Sequence, residues 1–330
     1  MSVGLGVRFD DPGLEQQVAA GVQLVEEQLL AACQAPEAYI SEAATHLLNA
    51  GGKRFRPLLA MLAADFGDPA RPEVVQSAVI VELTHLATLY HDDVMDEADK
   101  RRGAPSANAR WDNALAVLVG DYLFAQVSEL VSHLGPEMVR IQAQTFGRLV
   151  RGQIRETVGP HDGDDRLEHY LDVVADKTGS LIATAARFGA KMAGAPTEIE
   201  QALTEFGERI GSAFQLADDI IDIASRTDES GKTPGTDLRE GVPTLPTLIA
   251  QRSTDPADAR LLDLLSRPLH DDAEVDEALA LLRVHPAMEE ARAYVQAEAD
   301  AARAVLAQLP DTPARRALDD VCDVVVTRLG

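Results

Sequence analysis

Cysteine is almost absent from this chain of 330 residues: only Cys33 and Cys322 occur, and neither has a neighbour at metal-site spacing or a partner in a disulfide framework. Two reduced packing thiols in a cytosolic protein are expected. Cations are scarce as well, with 30 lysines and arginines against 54 aspartates and glutamates and a formal charge of −24. That balance argues against nucleic-acid binding and against electrostatic docking on anionic lipid. No uninterrupted apolar run has the length needed to span a bilayer, and Met1 to Asp11 lack the basic start and apolar core of a secretory signal. A cytoplasmic protein without a transmembrane segment is expected. No Ser-, Gly- or Pro-rich linker marks a second domain, so residues 1–330 read as a single domain. A hydrophobic content of 46% is enough for a sizeable core. Convincing alternating strands are missing, as is any Ser-His-Asp or Cys-His set suited to nucleophilic catalysis.

What remains is helical periodicity. The pattern predicts helices over roughly Gly13 to Ala32, Glu37 to Asn49, Pro57 to Phe66, Glu73 to Ala98, Ala107 to Leu134 and Glu137 to Thr157. Others are predicted over roughly Leu167 to Ala193, Glu198 to Ser225, Leu245 to Gln251, Ala257 to Leu264, Ala273 to Leu282, His285 to Leu309 and Pro313 to Leu329. Asn49-Ala50-Gly51-Gly52, Leu134-Gly135-Pro136 and Gly194-Ala195-Pro196-Thr197 supply the breaks. The expected class is all-α, a single large helical bundle. Its richest loop, Arg226 to Pro246, is expected to act as a lid.

Two apolar helical stretches end in the same acidic pattern, Asp92-Asp93-Val94-Met95-Asp96 and Asp218-Asp219-Ile220-Ile221-Asp222. On a helix, residues i and i+4 share a face and i+1 lies about 100° round from i, so each cluster aims two carboxylates one way with a third beside them. Two such clusters facing each other across a central cavity would suit Mg²⁺, which takes oxygen ligands and bridges carboxylates to phosphates. A decoy occurs at Asp271-Asp272-Ala273-Glu274-Val275-Asp276, where spacing and flanks differ. That segment reads as a helix N-terminal cap.

Against the acidic trend, cations gather at Lys53-Arg54-Phe55-Arg56 after Gly51-Gly52, and at Lys100-Arg101-Arg102 before Gly103. Guanidinium forks suit diphosphate oxygens, and they also supply counter-charge for nearby aspartates. The Walker spacing is absent, which excludes a P-loop. Val81, His85, Thr88 and Asp92 fall in one stripe, which leads from the acidic cluster into the apolar interior and favours ligand contact for His85. Gln215 shares a face with Asp218 and Asp219, either orienting them or donating to phosphate. Lys177-Thr178-Gly179 is weak taken alone.

Together these motifs make the chain resemble the all-trans polyprenyl diphosphate synthases, head-to-tail prenyltransferases of the isoprenoid synthase fold. His91 to Asp96 ending in Arg101-Arg102-Gly103 is similar to the family's first aspartate-rich motif, and Phe214 to Asp222 to its second. The resemblance implies Mg²⁺ held by Asp92, Asp93, Asp96, Asp218, Asp219 and Asp222. It implies that Lys53, Arg56, His85 and Arg102 bind isopentenyl diphosphate. Arg101, Lys177, Gln215 and Lys232 would bind the allylic diphosphate, with Thr178 near the developing cation. A homodimer is implied too, with transient membrane association for product release. One departure is Val242, where many relatives carry a basic residue.

The positions five and four before Asp92, Ala87 and Thr88, gate the growing chain in such enzymes, and Thr84 and Val81 lie below them. All four are small enough to leave a shaft open, so a long product, heptaprenyl to nonaprenyl, is expected for a quinone side chain. Phe124 and Leu130 are candidate floors. The alternatives are a shorter-chain geranylgeranyl-type synthase, a class I terpene cyclase and a non-catalytic regulatory subunit. A cyclase would not need the Lys53, Arg56 and His85 site, and a silent subunit would not keep both acidic clusters.

Overall fold

Several helices start where the chain supplies a side-chain acceptor for their free N–H groups. Asp11 accepts from Leu14 N–H at 2.9 Å and opens α1, Pro12–Ala32, with proline in its first turn. The computed structural model describes residues 6–225 and 234–328. After α1 come α2, Ala38–Asn49, α3, Phe55–Ala64, and α4, Pro72–Met95. Lys100–Arg101 (β1) and Ala104–Pro105 (β2) form an antiparallel hairpin, followed by α5, Ala107–Arg110, α6, Asn113–Ser132, and α7, Pro136–Val158. Then come α8, Arg166–Val174, a π-helical turn over Ala175–Gly179, α9, Ser180–Met192, and α10, Thr197–Ala224. Shorter helices at Thr236–Glu240, Leu245–Ala250 and Ala259–Leu264 precede α14, Asp272–Val284, α15, Pro286–Leu306, and α16, Pro313–Thr327, the three short ones being α11 to α13.

Backbone contacts divide the described residues into two compact units. The first draws on Met1–Phe146, Leu181–Gly207 and Gln308–Asp320. Its axis is α4, where fourteen of the 24 residues are buried, with α1, α3 and α6 packed on it. The hydroxyl of fully buried Tyr90 on α4 accepts from Leu47 N–H at 3.3 Å and donates to Ala43 O, fastening α2 to that axis. Helix α9 meets α3 so closely that a methyl group at Gly189 would strike the Ala60 carbonyl. The second unit draws on Gly147–Ser180, Glu208–Ala307 and Val321–Gly330, and in it α12 packs on α15 and α8.

Several details depart from the periodicity reading, among them α11, Thr236–Glu240, which lies inside the expected loop Arg226 to Pro246. The stretch Ala107 to Leu134 is two helices, because Asp112 takes an extended conformation and caps α6 through Leu115 N–H at 2.7 Å. Leu167 to Ala193 carries the π turn. The chain leaves α4 at Met95 and turns through the hairpin, whose central residues Arg102 and Gly103 have φ of 55° and 78°. Positive φ at both central positions is the geometry that two-residue hairpins favour. The decoy at Asp271 is a cap, with its carboxylate accepting from Ala273 N–H at 3.0 Å.

Gly189→Ala is expected to destabilise the protein by about 1–3 kcal/mol or more through overpacking. Gly147→Ala, where an added methyl meets nothing within 4 Å, is expected to be neutral or to stabilise by up to about 1 kcal/mol. Thermal unfolding of the two variants checks the contrast.

Candidate active site

In the first unit a cationic cradle forms where Gly51 and Gly52 join α2 to α3. A side chain at Gly52 would strike the Arg54 guanidinium and lie 3.1 Å from that of Arg102, so only glycine lets the two approach. Arg54, at φ 49°, turns inward to the carboxylates of Glu26 and, at 3.4 Å, Glu82. Arg102 donates to the carbonyls of Leu47, at 3.0 Å, and Gly51, closing the end of α2. Glu82 is buried and is the anion that also supports the charges of Arg56 and Arg102. Burial lowers the pKa of both arginines, although a guanidinium stays charged at any ordinary pH. Arg56 Nε is buried without a hydrogen-bond partner. His85 stands among these cations; burial first, then Arg56, Arg102, Arg101 and Arg54, push its pKa well down, so its imidazole is neutral. Lys53 is exposed at the turn.

The first acidic cluster closes α4. Asp93 is fully buried and its Oδ1 accepts from Arg101 Nε at 2.6 Å, while its Oδ2 is buried with no partner. Burial raises its pKa and the neighbouring Asp96 adds to the rise, against the pull of Arg101. Asp92 is half-buried and Asp96 exposed. All three stand at the negative end of the helix dipole with no basic residue in the last turn, the least favourable place for carboxylates. Below them Thr88 donates to His85 O at 2.8 Å, and Val81, Thr84 and Ala87 are buried.

The second cluster belongs to the second unit and closes α10, also without a basic residue in the last turn. Asp219, 5% exposed, is pushed by burial up to about 7, opposed by donors from Tyr170, Leu245 N–H and Gln215. Tyr170 donates its hydroxyl to Oδ2, Leu245 N–H lies 3.3 Å from the same oxygen, and Gln215 Nε2 lies 3.5 Å from Oδ1. Gln215 also accepts from Thr178 at 3.4 Å. The π turn therefore brings Thr178 into line with Gln215 and Asp219; single π turns inside helices often mark functional positions. Lys177, on that turn, pairs with Glu156. Asp218 pairs with Arg328, whose guanidinium also lies 4.7 Å from the Phe214 ring. Asp222 is half-buried.

Tyr170 and Arg328 escaped sequence reasoning. Tyr170 stands two turns before Lys177, a spacing that was legible. Arg328, far away in sequence, left no signal. Lys232 lies outside the described residues, as do residues 226–233 of the expected lid. Val242 is an exposed apolar residue whose N–H bonds Asp237 O at 2.9 Å.

The donor set fits a divalent cation: it is all oxygen, and the buried Asp93 Oδ2 lacks a partner. Among the described residues no three acidic, histidine or cysteine side chains are gathered as a ready-made cage. Asp93, Asp218 and Asp219 are instead paired with Arg101, Arg328 and Tyr170.

The polyprenyl synthetase family matches residues 37–282 of this chain. Nonaprenyl diphosphate synthase of Mycobacterium tuberculosis is 52% identical over 330 residues, covering 100% of this chain and 98% of that protein. Geranylgeranyl pyrophosphate synthase from Corynebacterium glutamicum, solved in complex with calcium and isoprenyl diphosphate, has a TM-score of 0.89 at 48% identity, covering 98% of this chain and 100% of that one. Decaprenyl diphosphate synthase from Rhodobacter capsulatus has a TM-score of 0.86 at 36% identity, over 96% and 98% of the two chains. Sequence motifs, helical architecture and these likenesses agree, and the chain belongs to the polyprenyl synthetase family of prenyltransferases.

Proposed function

We propose that the chain, acting as one domain, is an all-trans polyprenyl diphosphate synthase that extends an allylic diphosphate with isopentenyl diphosphate to a heptaprenyl to nonaprenyl product for a quinone side chain. The observation that carries the reading is the pairing in one unit of two buried, unpartnered polar atoms of opposite character, Asp93 Oδ2 and Arg56 Nε. One asks for a cation and the other for an anion. A metal–diphosphate pair supplies both.

In this reading Lys53, Arg56, His85 and Arg102 orient isopentenyl diphosphate, with neutral His85 able to donate one hydrogen bond without adding charge. Arg101, Lys177, Gln215 and Lys232 orient the allylic diphosphate. Asp92, Asp93, Asp96, Asp218, Asp219 and Asp222 would hold Mg²⁺, which would supply positive charge for the departing diphosphate oxygens. The allylic C–O bond breaks, the double bond of isopentenyl diphosphate forms the new C–C bond, and a proton leaves to the released diphosphate. Thr178 faces the developing cation, and water is kept out so that the cation is not quenched.

The 52% likeness to a nonaprenyl synthase and the small residues at Ala87 and Thr88 support the long product. The 48% likeness to a geranylgeranyl synthase favours the shorter-chain alternative. A second copy of the chain is proposed to cover the apolar face of α6, where Leu118 is 62% exposed and Val117 38%. The reading places the enzyme in the cytoplasm, with its apolar product drawing it to a membrane surface at release.

Asp92→Ala or Asp219→Ala is expected to lower incorporation of labelled isopentenyl diphosphate by about 10²–10³-fold or more with the helical circular dichroism unchanged. Near-normal incorporation by either variant would remove the metal roles. Chromatography of the dephosphorylated products decides the length: the wild type is expected to give seven to nine isoprene units and Ala87→Phe a shorter set. Four units from the wild type would establish the geranylgeranyl alternative.

A further inference from the structure

We infer that Gln142 is a product-length residue, a polar clasp across the shaft that any chain must displace to grow past the second turn below Asp92. The inference rests on the synthase reading above and assigns a residue that sequence patterning did not single out.

The clasp lies in the first unit. Thr84 is fully buried on α4, eight residues before Asp92, which places it about 12 Å down the helix. Its hydroxyl donates to Ile80 O at 2.7 Å. With that hydrogen committed, only lone pairs remain for other partners, and Gln142 Nε2 on α7 donates to Thr84 Oγ1 at 2.8 Å. The orientation of the amide follows: its NH₂ faces Thr84, and Gln142 Oε1 points the other way. That oxygen is buried and has no partner, in a residue only 6% exposed. One helical turn further along α7, the Phe146 ring packs against Phe124, tilted by 51° with ring centroids 4.5 Å apart, and the Phe124 ring also lies 5.7 Å from that of His91. Phe124, a candidate floor from the sequence, thus stands beside the residue preceding Asp92.

Consequences follow from chemistry. A prenyl chain offers no hydrogen bond, so a tail passing Thr84 has to part the Gln142–Thr84 hydrogen bond and leave the amide N–H buried without that partner. Growth stops there unless the amide swings out of the path. Short products leave at this point, and long products come from the fraction in which the clasp has opened. Ala87 and Thr88, one turn higher, set whether the tail reaches the clasp at all.

The test is product chromatography on Gln142→Ala, Gln142→Met, Gln142→Phe and Thr84→Val, with Ala87→Phe as the control for the shaft itself. Thermal unfolding midpoints establish that each variant is folded. Gln142→Ala and Gln142→Met, which remove the hydrogen bond with and without loss of volume, are expected to shift the mean product up by at least one isoprene unit and to reduce the short products. Thr84→Val, which frees the amide while keeping shape, is expected to shift it the same way. The Thr84→Val/Gln142→Ala double variant is expected to go no further than the larger single shift, since both break one interaction. Gln142→Phe is expected to shorten the product. Unchanged distributions in the Gln142 and Thr84 variants, with Ala87→Phe still shortening, would overturn the clasp and leave the synthase reading standing. No prenyl product from the wild type would overturn both.

Discussion

Everything at the candidate site depends on carboxylates placed where a helix least favours them. In both acidic clusters the aspartates sit in or just beyond the last turn, at the negative end of the dipole, in a chain already carrying −24. Buried Asp93 and Asp219 both have raised pKa values for the same reason: desolvation disfavours the ionised form. Each relies on a neighbour from its own unit, Arg101 for Asp93 and the Tyr170 hydroxyl for Asp219. These contacts satisfy the carboxylates in part, and the bare Oδ2 of Asp93 shows where they stop. A binding site for cations has to be costly when bare, or the cation would gain little by arriving.

The cationic side obeys the same logic with the signs reversed. Arg54 is spent on Glu26 and Glu82, and Arg102 on the end of α2. That scaffold holds Arg56 and His85 in a crowded, positively charged spot around a single buried glutamate. Burial first, and the neighbouring cations after it, keep the histidine neutral, and one arginine donor is left unmatched. Positive charge gathered around Gly51-Gly52, in an otherwise acidic molecule, is the electrostatic basis on which a diphosphate is proposed to bind there.

The sequence made the helices, the two acidic clusters and the cationic turn legible because each depends on local spacing. Asp92 with Asp96, and Asp218 with Asp222, are one turn apart; Gly51-Gly52 before Lys53 is a turn signal with charge attached; Asp271 betrayed itself as a cap by its flanks. Contacts between distant segments left no such trace. Tyr170 reaches Asp219 and Arg328 reaches Asp218 only once the chain has folded. Gln142 looks like any helical glutamine until Thr84 is set opposite it. The short hairpin was also hidden, since two residues per strand give no alternation to read; only the positive φ at Arg102 and Gly103 reveals how the turn presents its guanidinium.

The central claim is that these carboxylates serve a metal-dependent condensation of two diphosphates. It is tested most directly by incubating the unmodified protein with labelled isopentenyl diphosphate and an allylic diphosphate, with Mg²⁺ and then with a chelator. The account predicts label in an apolar extract that requires both diphosphates and vanishes when the metal is removed. Incorporation that persists in the chelator, or none under any metal, would contradict it.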